Sequence, residues 1–145
     1  MKHSGVSWLP LYHDMGLIGC VITALERPGT MTLIPPELFL ARPAVWLRAI
    51  STYSATISVA PNFAYGLCVE KIVDDDLEGV DLSSWRIALC GAEPVVPQVL
   101  RRFIRRFAPF GLRPEAVTPV YGLSEATLAA TFSAIEPPFV SRRFD

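Results

Sequence analysis

The sequence predicts an α/β fold in which a mostly parallel sheet is flanked by helices. Short β-branched or apolar runs alternate with segments of helical periodicity from one end of the chain to the other. Because the helical segments separate successive strands, parallel pairing through right-handed crossovers is favoured. Hydrophobic residues make up 51% of the 145 residues, which is sufficient for the core of one ordinary domain.

The elements follow one another in a regular order. Strands are predicted near residues 6–9, 31–34, 56–59, 86–90 and 117–121. Helices are predicted between them, near residues 17–25, 43–53, 62–72 and 97–107. The helix at Pro43 starts with proline in its first turn and has an apolar side suited to packing on a sheet. The acidic run that begins at Asp74 is interpreted as a solvated loop rather than a metal site.

The composition excludes several classes of partner. The 13 Lys and Arg residues nearly balance the 14 Asp and Glu residues, so no overall field attracts nucleic acid or an anionic membrane. The longest apolar run, residues 16–25, is shorter than the roughly 20 residues that cross a bilayer, so no transmembrane segment is expected. Cys20, Cys68 and Cys90 are odd in number and widely spaced, which disfavours a disulfide framework and a thiolate metal site. A reducing, cytoplasmic location is therefore expected.

The most informative motif is PVYGLSEAT at residues 119–127. It predicts a strand, a glycine turn and the start of a polar helix, at the sheet edge where α/β proteins bind ligands. Ser124 and the N–H groups behind it can accept a phosphate at the helix N-terminus, and Glu125 can hold magnesium. Tyr121 offers a flat face to a base. An ordinary turn with Ser124 as its N-cap is the alternative.

Two further motifs precede this one. A buried strand leads into GAEP at residues 91–94, where Gly91 and Ala92 allow a flat ligand to approach the backbone. This turn lies about one βαβ unit before Tyr121. The run SWLPLYHDMGL at residues 7–17 contains His13, which on composition alone is a hydrogen-bonded structural residue because no histidine-rich ligand set can be assembled.

The three motifs, in this order, resemble those of the adenylate-forming superfamily of acyl-CoA synthetases, nonribosomal peptide adenylation domains and luciferases. The resemblance implies that Tyr121, next to Gly122, stacks on adenine, that Ser124 contacts phosphate, and that Glu125 binds magnesium. ATP or AMP and magnesium are the implied cofactors.

The same resemblance assigns roles to the two earlier motifs. The backbone of the GAEP turn is implied to lie against the adenine ring; its residues are Gly91, Ala92, Glu93 and Pro94. His13 is implied to lie beside the reacting carboxylate as a gate, so that the implied catalytic residues are His13, Ser124 and Glu125.

A narrower resemblance is to fatty acyl-AMP ligases. It is carried by WLPLYHDMGL at residues 8–17, PNFAY at 61–65, LSSW at 82–85 and the start of a distinguishing insertion at 138–145. It implies a fatty acid substrate and transfer to an acyl carrier protein or a polyketide synthase carrier domain. The candidates for the acyl site are Tyr12, Met15, Phe63 and Tyr65. At helical spacing, the two aromatic residues of PNFAY also fit an ordinary core.

Measured against that family, residues 1–145 are expected to be one partial AMP-binding domain, an incomplete part of the large N-terminal domain. The lysine-containing phosphate loop, the ribose-binding aspartate and the C-terminal domain of the family are not found in the sequence. We therefore expect the isolated chain to be inactive.

Three alternative functions remain open from the sequence. An acyl-CoA synthetase shares every matched residue, and a non-catalytic binding module shares the fold. The run GLSEA at residues 122–126 also resembles a degraded nucleophile elbow of α/β serine hydrolases. Both histidines, His3 and His13, precede Ser124, whereas in those hydrolases the acid and histidine follow the serine, so this alternative ranks last.

Overall fold

The computed structural model describes residues 3–27, 29–135 and 137–142. The strands are β1 (His3–Ser7), β2 (Gly29–Leu33), β3 (Ile57–Ala60), β4 (Ile87–Cys90), β5 (Val117–Leu123) and β6 (Leu128–Phe132). The α-helices are α1 (Asp14–Gly16), α2 (Thr23–Glu26), α3 (Pro36–Ala41), α4 (Ala44–Thr52), α5 (Asn62–Lys71) and α6 (Pro97–Phe107). A π-helical segment, Leu17–Ile22, joins α1 to α2, and four 3₁₀ turns complete the chain: Asp74–Leu77, Ala108–Phe110, Pro114–Ala116 and Ser124–Ala126. The end of the segment that resembles the ligase insertion, residues 143–145, lies outside the described residues.

The described strands form one sheet in the order β2-β1-β3-β4-β5-β6. The four neighbouring pairs from β2 to β5 in this order are parallel, and the last pair, β5 and β6, is antiparallel. The mostly parallel α/β fold predicted from the sequence is therefore confirmed. The predicted helix at residues 97–107 has the same bounds in the structure, and those predicted at 43–53 and 62–72 agree within one residue at each end.

The first strand begins earlier in the chain than the sequence predicts. The predicted strand covers residues 6–9, whereas the ladder with β2 begins at His3 and ends at Ser7. Trp8 and Leu9 are buried, which explains the misleading apolar signal, but they leave the ladder. The Leu9 N–H donates to the Ser7 hydroxyl (3.2 Å), and the next residue, Pro10, has no N–H to offer a neighbouring strand.

Two helical features also differ from the predictions. The short helix α3 (Pro36–Ala41) was not predicted, and it begins with proline in its first turn. The acidic run predicted as a loop forms the 3₁₀ turn Asp74–Leu77, in which Leu77 is buried. An ion pair between Arg106 and Asp74 joins this turn to α6.

One face of the sheet carries the aromatic core. Trp46 of α4 is fully buried, and its indole N–H donates to the Ser58 hydroxyl of β3 (2.9 Å). The rings nearest to Trp46 are those of Trp85 (5.2 Å), Tyr65 (5.6 Å), Phe39 (5.7 Å) and Trp8 (6.3 Å), measured between centroids. Phe103 of α6 packs edge-on against Tyr65. These contacts fix α4, α5 and α6 on the sheet.

The opposite face of the sheet is only half-buried. Side chains alternate along a strand, so the residues that alternate with the buried core residues of β3 and β4 point to this second face. They are Ile57, Val59, Ile87 and Leu89. The segment from α1 to α2 crosses this face and leaves clefts beside it. In the part of the chain that the structure describes, no helix is long and apolar enough to cross a membrane.

Candidate functional site

The candidate site lies where β5 continues past the end of β4. The last paired residues are Cys90 and Pro119, and β5 then runs on to Leu123. The turn that follows β4 lies beside this extension, and together they line a cleft of about 560 Å³, here called the nucleotide cleft. Its walls are Ala92, Glu93, Pro94, Val95, residues 119–122 and residues 131–133. Tyr121, 65% exposed, lines this cleft.

Close backbone approach accounts for the glycine at the start of the GAEP turn. A Cβ on Gly91 would stand 2.7 Å from the Val120 carbonyl oxygen. The next residue, Ala92, has φ +68°, in the left-handed region that costs a residue with a side chain roughly 1–2 kcal/mol. Gly91 itself does not line the cleft, whereas Ala92 does. The turn that carries the predicted adenine-binding residues is therefore strained.

The polar helix predicted to begin at Ser124 is not present. Residues Ser124–Ala126 form a single 3₁₀ turn, and the chain then reverses into β6. Thr127 and Leu128 have φ +52° and +94°, strained values for residues with a β-carbon. The Ser124 side chain caps no helix, since Leu123 holds the N-cap position without a side-chain bond. Any phosphate contact of Ser124 is therefore made by its exposed hydroxyl at a hairpin and not by a helix N-terminus.

Gly122 is required by this hairpin. A Cβ at Gly122 would collide with the Leu128 carbonyl oxygen of the facing strand. The ladder between β5 and β6 has its register shift at Tyr121 and Gly122. Such irregularities re-aim side chains at sheet edges and beside active sites. The glycine therefore lets β6 close over β5 while Tyr121 keeps its exposed position.

A second cleft, of about 500 Å³, lies against the first and is here called the carboxylate cleft. The two clefts share four lining residues: Ala92, Val120, Gly122 and Phe132. The second cleft is lined on its other sides by His13, Met15 and Ser124, together with apolar residues of the sheet and of the π-helical segment. The structure thus brings residues from all three sequence motifs to one pair of adjoining clefts.

His13 caps α1 and faces the carboxylate cleft. Its Nδ1 accepts a hydrogen bond from the Met15 backbone N–H (3.1 Å). A neutral imidazole whose Nδ1 is an acceptor carries its proton on Nε2. The side chain therefore has one nitrogen occupied by the helix cap and an N–H donor left for a ligand.

The other acyl-site candidates are distributed differently. Met15 lines the carboxylate cleft, but Tyr12 is 93% exposed and lines none of the three clefts described here. Phe63 is half-exposed and packs edge-on against Trp8. Tyr65 lies fully buried in the aromatic core, and its hydroxyl donates to the Leu89 carbonyl (2.7 Å). In the described residues, the aromatic pair of PNFAY therefore belongs to the core and its edge.

A third cleft, of about 280 Å³, continues from the carboxylate cleft along the half-buried face of the sheet. Gly19 and Thr23 line both clefts, and Cys20 and Met31 lie only in the third. Burial raises the pKa of the Cys20 thiol, and a hydrogen bond with Ser7 opposes this shift. The walls of this cleft are mostly apolar and contain a neutral thiol, and His3 and Arg27 also line it.

The buried residues behind the GAEP turn were not predicted from the sequence. Asn62, at the start of α5, is 6% exposed, and its side-chain oxygen accepts from the Val96 N–H (2.9 Å). Burial, with a smaller contribution from the Glu93 carboxylate, raises the pKa of Cys90 to about 12. The hydrogen bond between Val96 and Asn62, together with the burial of Cys90, shows that the turn after β4 is tightly packed onto the start of α5.

Glu125 fits a magnesium ion that is also held by phosphate. Its side chain is exposed on the hairpin between β5 and β6, one residue after Ser124. Among residues 3–27, 29–135 and 137–142, no three His, Cys, Asp or Glu side chains form a metal-binding group. Magnesium commonly takes one or two carboxylates and completes its shell with substrate phosphates and water. Glu125 lines none of the three clefts, but it directly follows Ser124, which lines the carboxylate cleft, and it is a single exposed carboxylate of the kind that such an ion takes.

Known proteins share much of this sequence. The chain is 46% identical over 134 residues to the long-chain-fatty-acid–AMP ligase FadD23 of Mycobacterium tuberculosis, covering 92% of the chain and 23% of FadD23. It is also 46% identical over 136 residues to 4-hydroxyphenylalkanoate adenylyltransferase of Mycobacterium marinum, covering 93% and 22%. The chain thus spans less than a quarter of these relatives.

A solved structure shares the fold. The fatty acyl-adenylate ligase of L. pneumophila, in complex with acyl adenylate and pyrophosphate, superimposes with a TM-score of 0.89 and 47% identity, over 92% of this chain and 24% of that one. Residues 2–143 match the family described as AMP-binding enzyme. These relatives confirm the resemblance found in the three motifs. The chain belongs to the AMP-binding enzyme family.

Proposed function

We propose that this chain is a segment of a fatty acyl-AMP ligase, in which it forms part of the nucleotide and acyl sites. The observation that carries the proposal is the junction of the two clefts at Ala92 and Gly122, with Tyr121 on one side and His13 on the other. The full-length chain that contains these residues is here called the complete ligase. A cytoplasmic enzyme that uses ATP and magnesium is part of the same proposal.

The proposed first step joins a fatty acid to AMP. A carboxylate oxygen attacks the α-phosphorus of ATP, the bond from that phosphorus to the bridging oxygen breaks, and pyrophosphate leaves. The chain contributes by positioning: Tyr121 and the GAEP turn hold the base, and the His13 Nε2–H donates to the carboxylate. Magnesium at Glu125 would neutralise charge on the phosphate oxygens.

The apolar clefts support a substrate with a hydrocarbon tail. The carboxylate cleft is bordered by Met15, and the third cleft continues from it past Gly19 to Met31. Burial of each methylene in such a cleft contributes about 0.8 kcal/mol. We assign the third cleft to the part of the acyl chain that lies beyond the carboxylate.

The proposed second step is transfer to a thiol. The phosphopantetheine thiol of an acyl carrier protein, or of a polyketide synthase carrier domain, attacks the acyl carbonyl, and AMP leaves as the thioester forms. An acyl-CoA synthetase would use coenzyme A in the same step. The names of the relatives describe AMP ligases and adenylyltransferases and specify no acceptor, and the carrier protein is our proposal for it.

The test is an assay of the complete ligase with ATP, magnesium and a long-chain fatty acid. We expect acyl-AMP and pyrophosphate in equal amounts, and thioester only when a phosphopantetheinylated carrier protein is added. Rapid acyl transfer to coenzyme A would instead identify a synthetase. Absence of acyl-AMP from a folded complete ligase would refute the proposed reaction.

The role of His13 gives a separate prediction. In the complete ligase, His13→Ala should lower kcat by on the order of 10- to 100-fold, the value of a hydrogen bond to a charged group, while ATP affinity changes little. His13→Asn retains a side chain that can cap α1, because asparagine is a favoured N-cap. Both variants should lose turnover to a similar extent in steady-state kinetics. Full activity of the asparagine variant would show that His13 acts only as a cap.

A further inference from the structure

We infer that Asn62 is a positioning residue for the nucleotide cleft, acting with Glu93 as a clamp that holds the GAEP turn on α5. The inference rests on the proposed function, because the turn is taken to be the adenine-binding wall. Asn62 lines none of the three clefts, and its effect is exerted through the turn.

The first half of the clamp runs from the helix to the turn. Asn62 is the first residue of α5 and is buried. Its Oδ1 accepts the hydrogen bond from the Val96 N–H across 34 residues of sequence, and the Cys90 thiol lies 4.0 Å from the same oxygen. The Asn62 Oδ1 therefore contacts both ends of the turn: Cys90, the last residue of β4, and Val96, the residue before α6.

The second half runs in the reverse direction. The Glu93 Oε1 accepts a hydrogen bond from the Phe63 N–H (2.6 Å), at the second residue of α5. The first N–H groups of a helix have no partner within it, and a carboxylate there is further favoured by the helix dipole. The two bonds cross, since each segment gives one side-chain acceptor to a backbone N–H of the other.

The crossed bonds enclose the strained residue of the turn. Ala92, with φ +68°, lies between the end of β4 and the clamped residues, and it lines both the nucleotide and the carboxylate clefts. An alanine released from its surroundings relaxes to negative φ, whereas glycine adopts either sign without strain. The clamp therefore holds the cleft wall in a conformation that the turn alone does not favour.

The test uses variants of the complete ligase and steady-state kinetics. Asn62→Ala should raise the KM for ATP about 10-fold, as expected for the loss of the hydrogen bond from the Val96 N–H, with a smaller change in kcat and in the KM for fatty acid. Adding Ala92→Gly should return the KM for ATP to within about threefold of wild type, because glycine removes the strain that the clamp opposes. Thr118→Val is the matched control: it removes another buried polar group, whose hydroxyl donates to Ala116, and should leave the KM for ATP unchanged.

A second pair of variants applies if Asn62→Ala does not fold. Glu93→Gln keeps a side-chain oxygen for the Phe63 N–H and Glu93→Ala removes it, so the Phe63 amide should exchange at least about 10-fold faster in Glu93→Ala than in Glu93→Gln. Amide exchange is the readout for this pair, because Glu93 also lines the nucleotide cleft. Glu93 is exposed, so neither change removes core packing. Equal exchange of the Phe63 amide in these two variants would overturn the clamp.

Amide exchange separates this inference from the proposed reaction. In Asn62→Ala, or in Glu93→Ala if that variant is needed, the amide of Val96 or of Phe63 respectively should exchange at least about 10-fold faster than in the wild type. Unchanged exchange, or a KM for ATP that does not change in an active enzyme, would overturn the clamp. A wild type that makes no acyl-AMP but shows the exchange effect would overturn the proposed reaction and leave the clamp standing as a structural device, without its assigned nucleotide role.

Discussion

Replacing Glu125 by glutamine in the complete ligase is expected to lower acyl-adenylate formation by about 100-fold, for the loss of several kcal/mol of charge stabilisation. The substitution keeps the size of the side chain and removes the charge that would hold magnesium beside the phosphate oxygens. The apparent requirement for magnesium should rise. The measurement is the magnesium dependence of ATP–pyrophosphate exchange.

Folding should change little in the same variant, because the exposed Glu125 makes no ion pair among the described residues. Glu78→Gln is the matched control, since it removes the same charge from an exposed side chain whose chain neighbours line none of the three clefts, whereas Glu125 directly follows the cleft residue Ser124. Glu125→Gln with wild-type exchange and an unchanged magnesium requirement would show that Glu125 is only a surface charge.

The second large effect concerns the aromatic core. Trp46→Ala should lower the free energy of unfolding by about 3–5 kcal/mol, because it opens a cavity among four aromatic rings and removes the hydrogen bond to Ser58. Since domains are typically stable by about 5–15 kcal/mol, this loss is a large fraction of the stability of the fold. Urea unfolding followed by circular dichroism gives the measurement.

Tyr53→Ala, at the exposed C-terminal end of the same helix, is the control for this core prediction. It should alter the free energy of unfolding by no more than about 0.5 kcal/mol. A Trp46→Ala variant as stable as Tyr53→Ala would contradict the described packing of α4 on the sheet.

The sequence predicted the parallel part of the fold well because each element there carries its own local signal. Helix α6 begins at a proline and has one apolar stripe, so its bounds could be read directly. Helix α5 follows Pro61 but has no comparable apolar stripe, and its predicted bounds still agree within one residue. The order of strands follows from helices between them, and right-handed crossovers leave few alternatives.

The hairpin after β5 could not be predicted because tertiary contacts oppose the local signal. Residues Leu128–Phe132 include Ala129 and Ala130, which favour helices, yet they pair with β5 as β6. Positive φ at Thr127 and Leu128 is equally unexpected from residue type. Pairing along β5 thus outweighs propensity at the point where Ser124 and Glu125 are displayed.

Long-range contacts also limited the prediction of the site. The motifs identified Ala92, Tyr121 and His13, and the structure brings all three to adjoining clefts. The roles of Asn62 and Glu93 in holding the turn depend on how α5 packs against residues 30 or more positions away. No local pattern carries that information.

The central claim is that the nucleotide and carboxylate clefts bind the two halves of one acyl-adenylate. The most direct measurement is a crystal structure of the complete ligase with a non-reacting acyl-adenylate analogue. We expect the adenine between Tyr121 and the GAEP turn, and the acyl carbonyl within hydrogen-bond distance of His13 Nε2. An adenine bound away from Ala92–Pro94, or an acyl group on the opposite side of the sheet from His13, would contradict it.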